Sequence, residues 1–161
     1  MARIVALKIL PPEVGQDQGL RSVVQQALEE RERELFSATV LQEARQPQNM
    51  GVMLDADRHA LLLGPCGDTM EIFLQLQDSR IARASFMTDG CGPTVACGSM
   101  LTKMVQDRTL DEAAAIEAAD LIIALEGLPP EHVQPQTIVD NVVAVGVDID
   151  GFSDQAGASL P

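Results

Sequence analysis

Two alternating runs joined by a short polar turn constrain this chain more than any other feature. Met70, Ile72, Leu74 and Leu76 alternate with Glu71, Gln75 and Gln77, the pattern of a strand with one face buried and one face wet. Gln77-Asp78-Ser79-Arg80 reads as a hairpin turn and residues 81–87 as the returning strand. An antiparallel pair brings the start of its first strand beside the end of its second. Gly64-Pro65-Cys66-Gly67-Asp68 lies just before the first strand and Gly90-Cys91-Gly92-Pro93 just after the second. Cys66 and Cys91, 25 positions apart, are therefore expected to meet, with Asp68 beside them.

Helical patterns surround this hairpin. Leu20, Val23, Val24, Ala27 and Leu28, then Leu35, Phe36, Val40 and Leu41, fall at helical spacing, with the charged residues 29–34 as a solvated face. Ser37 is placed to cap a second helix running to about residue 44, and residues 46–51 form a turn. Pro93 suits the first turn of a helix over 94–106, whose inner face carries Val95, Gly98, Leu101 and Val105. Thr109-Leu110-Asp111-Glu112 has the capping-box pattern for a helix through residue 118, and Asp120 is expected to cap another that stops before Pro129. Near the ends, Ile4-Val5-Ala6-Leu7 reads as a short strand and residues 146–161 as a loose tail.

Composition narrows the function. A chain of 161 residues, 46% of them apolar, supports one well-filled core. With no Trp, no Tyr and four Phe, that core is built from aliphatic residues and the seven Met, and platforms for stacking nucleic-acid bases are nearly absent. The net charge of −13 repels phosphate backbones and acidic membranes, so neither nucleic acid nor membrane is expected as a partner. No apolar run approaches the roughly 20 residues that cross a bilayer, and residues 1–10 lack the apolar stretch of a signal peptide. With three cysteines, the chain reads as cytoplasmic, its thiols kept for metal, redox or packing work.

Cysteine and aspartate on one glycine-bracketed turn can both face a single ion. Cys91, flanked by glycines ahead of a helix, lies where the helix dipole and unpaired backbone N–H groups favour a thiolate. Such a thiol holds metal or accepts sulfur; two buried structural cysteines are the plainer alternative. Pro65-Cys66-Gly67-Asp68-Thr69-Met70 and Gly90-Cys91-Gly92-Pro93-Thr94-Val95-Ala96-Cys97-Gly98-Ser99, in this order and spacing, resemble the IscU/NifU N-terminal scaffold family of iron-sulfur cluster assembly. Phe36-Ser37-Ala38-Thr39-Val40-Leu41, Pro47-Gln48-Asn49-Met50-Gly51, Thr109-Leu110-Asp111-Glu112-Ala113 and Leu128-Pro129-Pro130 extend the similarity over residues 35–133.

The resemblance implies an α+β fold, a three-stranded antiparallel sheet packed with helices, over residues 34–145, with 1–33 as a helical N-terminal extension. It implies a scaffold, not an enzyme, on which a transient [2Fe-2S] cluster is built from iron and sulfur. Cys66 and Cys91 would be ligands and sulfur acceptors, and Asp68 a weak ligand that keeps the cluster labile. The implied partners are a cysteine desulfurase, acceptor apoproteins and, through the Leu128-Pro129-Pro130 segment, a DnaK-type chaperone with its J-type co-chaperone. In place of the family's His-Cys pair after Leu-Pro-Pro, this chain has Gln134 and Pro135. The candidates for a fourth ligand are then Cys97, otherwise a packed core thiol, and His132, otherwise a surface histidine. The competing reading is a divergent homologue that binds zinc as a regulator or structural subunit and engages a desulfurase without building clusters.

Overall fold

The alternating runs pair as their pattern requires. The computed structural model describes residues 18–63 and 67–129, the side chain of Leu62 excepted. Strands β1 (Arg58–Leu63), β2 (Thr69–Gln77) and β3 (Arg80–Thr88) form an antiparallel sheet in the order β1-β2-β3. The β2–β3 turn requires positive φ at both central residues. Asp78 and Ser79 supply it, at φ 51° and 63°. A register shift follows at Gln75 and Leu76: Gln75 faces Arg83 while Leu76 faces Ile81, so Ala82 is the extra residue of a bulge. The bulge turns Ile81 inward, where it is wholly buried with Met70, Ile72, Leu74, Ala84 and Phe86.

The outer edge of β3 is closed at both ends. Phe86 exchanges backbone hydrogen bonds with Asn49 and Gly51 (3.0 and 2.9 Å), and Ile81 with Asp107 and Arg108 (2.9 and 2.8 Å). On the face opposite the core, the rings of His59 and Phe73 stack 4.9 Å apart.

Among the described residues, five helices accompany the sheet: α1 (Gln18–Leu35), α2 (Ala38–Arg45), α3 (Gly92–Val105), α4 (Leu110–Ala114) and α5 (Ala118–Ala124). Helix α3 is the hub, packed against β3, α2, α4 and α5. Contact on several sides explains why it buries Thr94, Ala96, Cys97, Gly98, Ser99, Leu101, Thr102 and Val105 together, a wider surface than the single stripe expected. Val95, expected on the inner face, is only partly buried. Ser37 caps α2 as expected, accepting from the Val40 N–H at 3.0 Å, and its hydroxyl also donates to the Leu125 carbonyl at 2.5 Å, fastening the start of α2 to the end of α5.

Between α2 and α3 the buried Glu43 carboxylate accepts from Ser99 Oγ at 2.6 Å and Lys103 Nζ at 2.5 Å. Burial pushes its pKa up, but the hydrogen bonds from Lys103 and Ser99 outweigh burial and leave it below the usual carboxylate range. Helix α1 touches the body mainly near its C-terminal end, where Glu32 pairs with Arg45 at 2.8 Å; none of its 18 residues is buried.

Two expectations past residue 109 are corrected. The Thr109–Glu112 capping box forms, but its helix stops at Ala114 instead of 118. Asp120 is not the cap of the next helix; Glu117 is, with Asp120 three residues on accepting from its N–H at 2.9 Å. Glutamate is an unusual N-cap, so a second capping box at 117–120 carried no recognisable signature. The break lets Ile116 enter the core alongside Ala113 and Leu121.

At Gly98 the backbone of α3 lies close against the sheet. A Cβ there would lie 2.4, 2.6 and 2.9 Å from three ring carbons of Phe86, which is fully buried and has nowhere to move. Alanine gains about 1 kcal/mol over glycine in a helix interior, whereas forcing an extra methyl into a packed core costs about 1–3 kcal/mol. Crowding wins. Gly98→Ala is expected to lower the urea unfolding midpoint, with a net loss of about 1–2 kcal/mol.

Candidate functional site

The hairpin register carries the sequence motifs to one place. Met70 faces Thr88 across the ladder, so the residues preceding β2 and those following β3 emerge side by side. Asp68 stands one residue before β2 and Cys91 is the N-cap of α3. Gly67, at φ +83°, takes the left-handed conformation that turns the chain into β2, a conformation a side chain resists.

A clasp of hydrogen bonds ties the two arms. Thr88 Oγ1 donates to the Thr69 carbonyl at 2.5 Å and accepts from the Gly90 N–H at 3.0 Å. Asp89 Oδ1 accepts from the Thr69 N–H at 2.6 Å and from Thr69 Oγ1 at 3.0 Å. The Thr69 N–H, followed by its hydroxyl, holds the Asp89 carboxyl below the usual carboxylate range.

Within the clasp, one hydroxyl lies between the two predicted donors. Thr94 Oγ1 donates to Asp68 Oδ2 at 3.4 Å and is 3.4 Å from Cys91 Sγ. The carboxylate oxygen and the sulfur are thus separated by no more than twice that distance. Gly90 makes room: a Cβ there would lie 2.7 Å from Asp68 Oδ2 and from Thr94 Cγ2. Cys91 is exposed, Asp68 half-buried and Thr94 buried. A hard oxygen and a soft sulfur touching one hydroxyl are donor types that zinc and cluster iron both accept.

The other candidates divide. Cys97 is wholly buried in the core, and burial, with a smaller contribution from nearby Cys91, pushes its thiol up to about 12. That is the environment of a packing thiol. His59, given no role from the sequence, pairs with Glu71 across β1 and β2. Cys66, His132, Gln134 and Pro135 lie outside the described residues, as do the strand expected at 4–7 and the tail at 146–161. Among the described residues, no three His, Cys, Asp or Glu side chains gather into a metal-holding group. The sequence had not singled out Thr94, Asp89 or Thr69. The only signal for Thr94 was a hydroxyl residue one position after the helix-starting Pro93.

Residues 35–150 match the family described as the NifU-like N terminal domain. Two Archaeoglobus fulgidus proteins, named iron-sulfur cluster assembly scaffold proteins IscU 1 and IscU 2, are each 36% identical over 98 residues, 60% of this chain and 64% of theirs. The Escherichia coli K12 protein named iron-sulfur cluster assembly scaffold protein IscU is 30% identical over 117 residues, covering 70% of this chain and 91% of its own. A solved structure described as a nitrogen-fixing NifU-like protein (N-terminal) from Brucella abortus aligns at a TM-score of 0.47 and 20% identity, over 68% of this chain and 76% of that one. The chain belongs to the NifU-like N-terminal domain family. It spans 64% of the length of the Archaeoglobus relatives it matches. No helix among the described residues is long and apolar enough to cross a membrane.

The clasp predicts a pH dependence. Because the Asp89 carboxyl is held down in the folded state, its stabilisation is fully present above the unfolded pKa of about 3.9 and is lost as pH falls through the lower folded value. The difference in urea midpoint between wild type and Asp89→Asn is expected to stay constant above about pH 5 and to shrink below about pH 4.

Proposed function

We propose that this chain is a scaffold on which a [2Fe-2S] cluster is assembled from iron and from sulfur supplied by a cysteine desulfurase, then passed to acceptor apoproteins. Cys66, Asp68 and Cys91 are the ligands in this reading, and the cluster is cargo instead of a resident cofactor. The observation that carries it is the approach of Asp68 Oδ2 and Cys91 Sγ to the same Thr94 hydroxyl, each at 3.4 Å, within the segment matched to the family. Cys66 enters from the sequence pattern alone. Carboxylate is a harder donor than thiolate and less suited to cluster iron, so mixed ligation favours release over storage. That preference is what a scaffold requires.

The reading is non-catalytic. The relatives are named as scaffolds, and no motif sets a general base beside Cys91. A cytoplasmic location accords with the thiol content. Cys97, wholly buried in the core, is a poor fourth ligand, which leaves His132 or a group from a partner. Of the partners, the chaperone pair has the least support. Leu128 is partly buried against the core, and Glu131 and His132 stand where an apolar-basic ending is usual.

A second reading, a zinc-binding regulatory or structural homologue, is favoured by Gln134 and Pro135 at the positions of the family's His-Cys pair. Anaerobic reconstitution with ferrous iron, cysteine, a desulfurase and excess dithiol, which supplies the two electrons that take each persulfide sulfur to sulfide, separates the two. The scaffold develops the visible absorption of a [2Fe-2S] cluster, and Cys91→Ala abolishes it. A protein that stays colourless, carries zinc by elemental analysis and still binds the desulfurase would replace the first reading with the second.

A further inference from the structure

Helix α3 contains three buried hydroxyl side chains, and two of them have structural work that accounts for them. Thr102 Oγ1 folds back onto its own helix, donating to the carbonyls of Gly98 and Ser99 at 2.9 and 3.0 Å. Ser99 Oγ accepts from the Gln48 N–H at 2.8 Å and donates to Glu43. Thr94 differs. Only 7% exposed, it turns its hydroxyl away from the helix to Asp68, 26 residues distant in sequence, while touching Cys91 on its own first turn.

We propose that Thr94 is a positioning residue of the site: its hydroxyl holds Asp68 and Cys91 turned toward one point before any metal arrives. The role rests on the reading of Asp68 and Cys91 as ligands. A side chain on an exposed N-cap has solvent-facing rotamers open to it. A hydroxyl carries one hydrogen and two lone pairs, so Thr94 donates to the Asp68 carboxylate and can accept from the Cys91 S–H. Placed between the two donors, it limits both, and the ordering cost otherwise met on binding is reduced in advance. The side chain that carries it is itself stiff, because a β-branched residue in a helix has few χ1 choices.

The two halves of Thr94 do different things, which makes the role testable. Its Cγ2 methyl fills the space beneath Gly90, where an added Cβ would lie 2.7 Å away, and its Oγ1 reaches the donors. Thr94→Val keeps the methyl and loses the hydroxyl; Thr94→Ser does the reverse.

The full chain, stripped of metal, is titrated with Zn2+ against a chromophoric chelator and with Co2+, whose thiolate charge-transfer band reports cysteine ligation. Thr94→Val is expected to weaken Zn2+ binding about 10- to 100-fold, the range typical of groups that orient metal ligands, with Thr94→Ser within about threefold of wild type. Thermal midpoints of the two variants should differ little, and the Co2+ band should weaken only in Thr94→Val. Zn2+ binding by Thr94→Val as tight as wild type overturns the role, and so does an equal loss in Thr94→Ser, which would assign the effect to the methyl. If Thr94→Val melts early, Thr94→Ala relieves any crowding and carries the same comparison with Thr94→Ser. Cys91→Ala separates the two ideas. Its loss of Zn2+ binding beside an unaffected Thr94→Val would sink the positioning role alone, whereas Cys91→Ala binding like wild type would sink the site reading with it.

Discussion

The missing side chain at Gly98 governs how the rest of the molecule is arranged. Because α3 has no Cβ at that point, its backbone comes down onto the Phe86 ring, while its other faces meet neighbouring helices. The sheet takes one side of α3, α2 another, and α4 and α5 the remainder. A helix buried on so many sides has no freedom to rotate or slide. Its N-cap, Cys91, is therefore set by the core and not by the loop that bears it.

Within that frame the aliphatic composition has a visible effect. With four Phe and no Trp or Tyr in the chain, Phe86 is the largest wholly buried side chain among the described residues, and small residues in α3 let the layers close around it. Polar groups at the helix interfaces replace what aromatic rings often supply elsewhere. Glu43 is satisfied by Ser99 and Lys103, and Ser37 links two helix ends through one hydroxyl. Each buried polar atom in these contacts has a partner, so they specify the packing without a large unpaired-group penalty.

Much of this was legible in the sequence, and the parts that were not share a physical cause. The hairpin, its turn at Asp78 and Ser79, the Ser37 cap, the Thr109–Glu112 box and the helix opening at Pro93 are local patterns with strong signatures, and these were read correctly. The hairpin argument also brought the residues before β2 beside those after β3, and so Asp68 beside Cys91. Missed were features that depend on what a residue meets across space. The bulge at Ala82 is one, putting Ile81 into the core opposite Leu76; the second capping box is local but was hidden by its atypical residue, Glu117. Thr94 and Asp89 matter through partners 20 or more positions away, which no window of sequence displays.

Cys91 and Cys97 are separated by six positions on one helix, yet they would answer the same oxidant differently. Cys91 is reachable from solvent, whereas Cys97 is sealed in the core with its thiol at about 12 and stays protonated in any ordinary buffer. Only a thiolate attacks sulfur efficiently, so Cys97 cannot resolve a sulfenic acid formed at Cys91 into a disulfide within the helix. The fold thus places an oxidisable thiol at the site and withholds from it the nearest repair partner in the sequence.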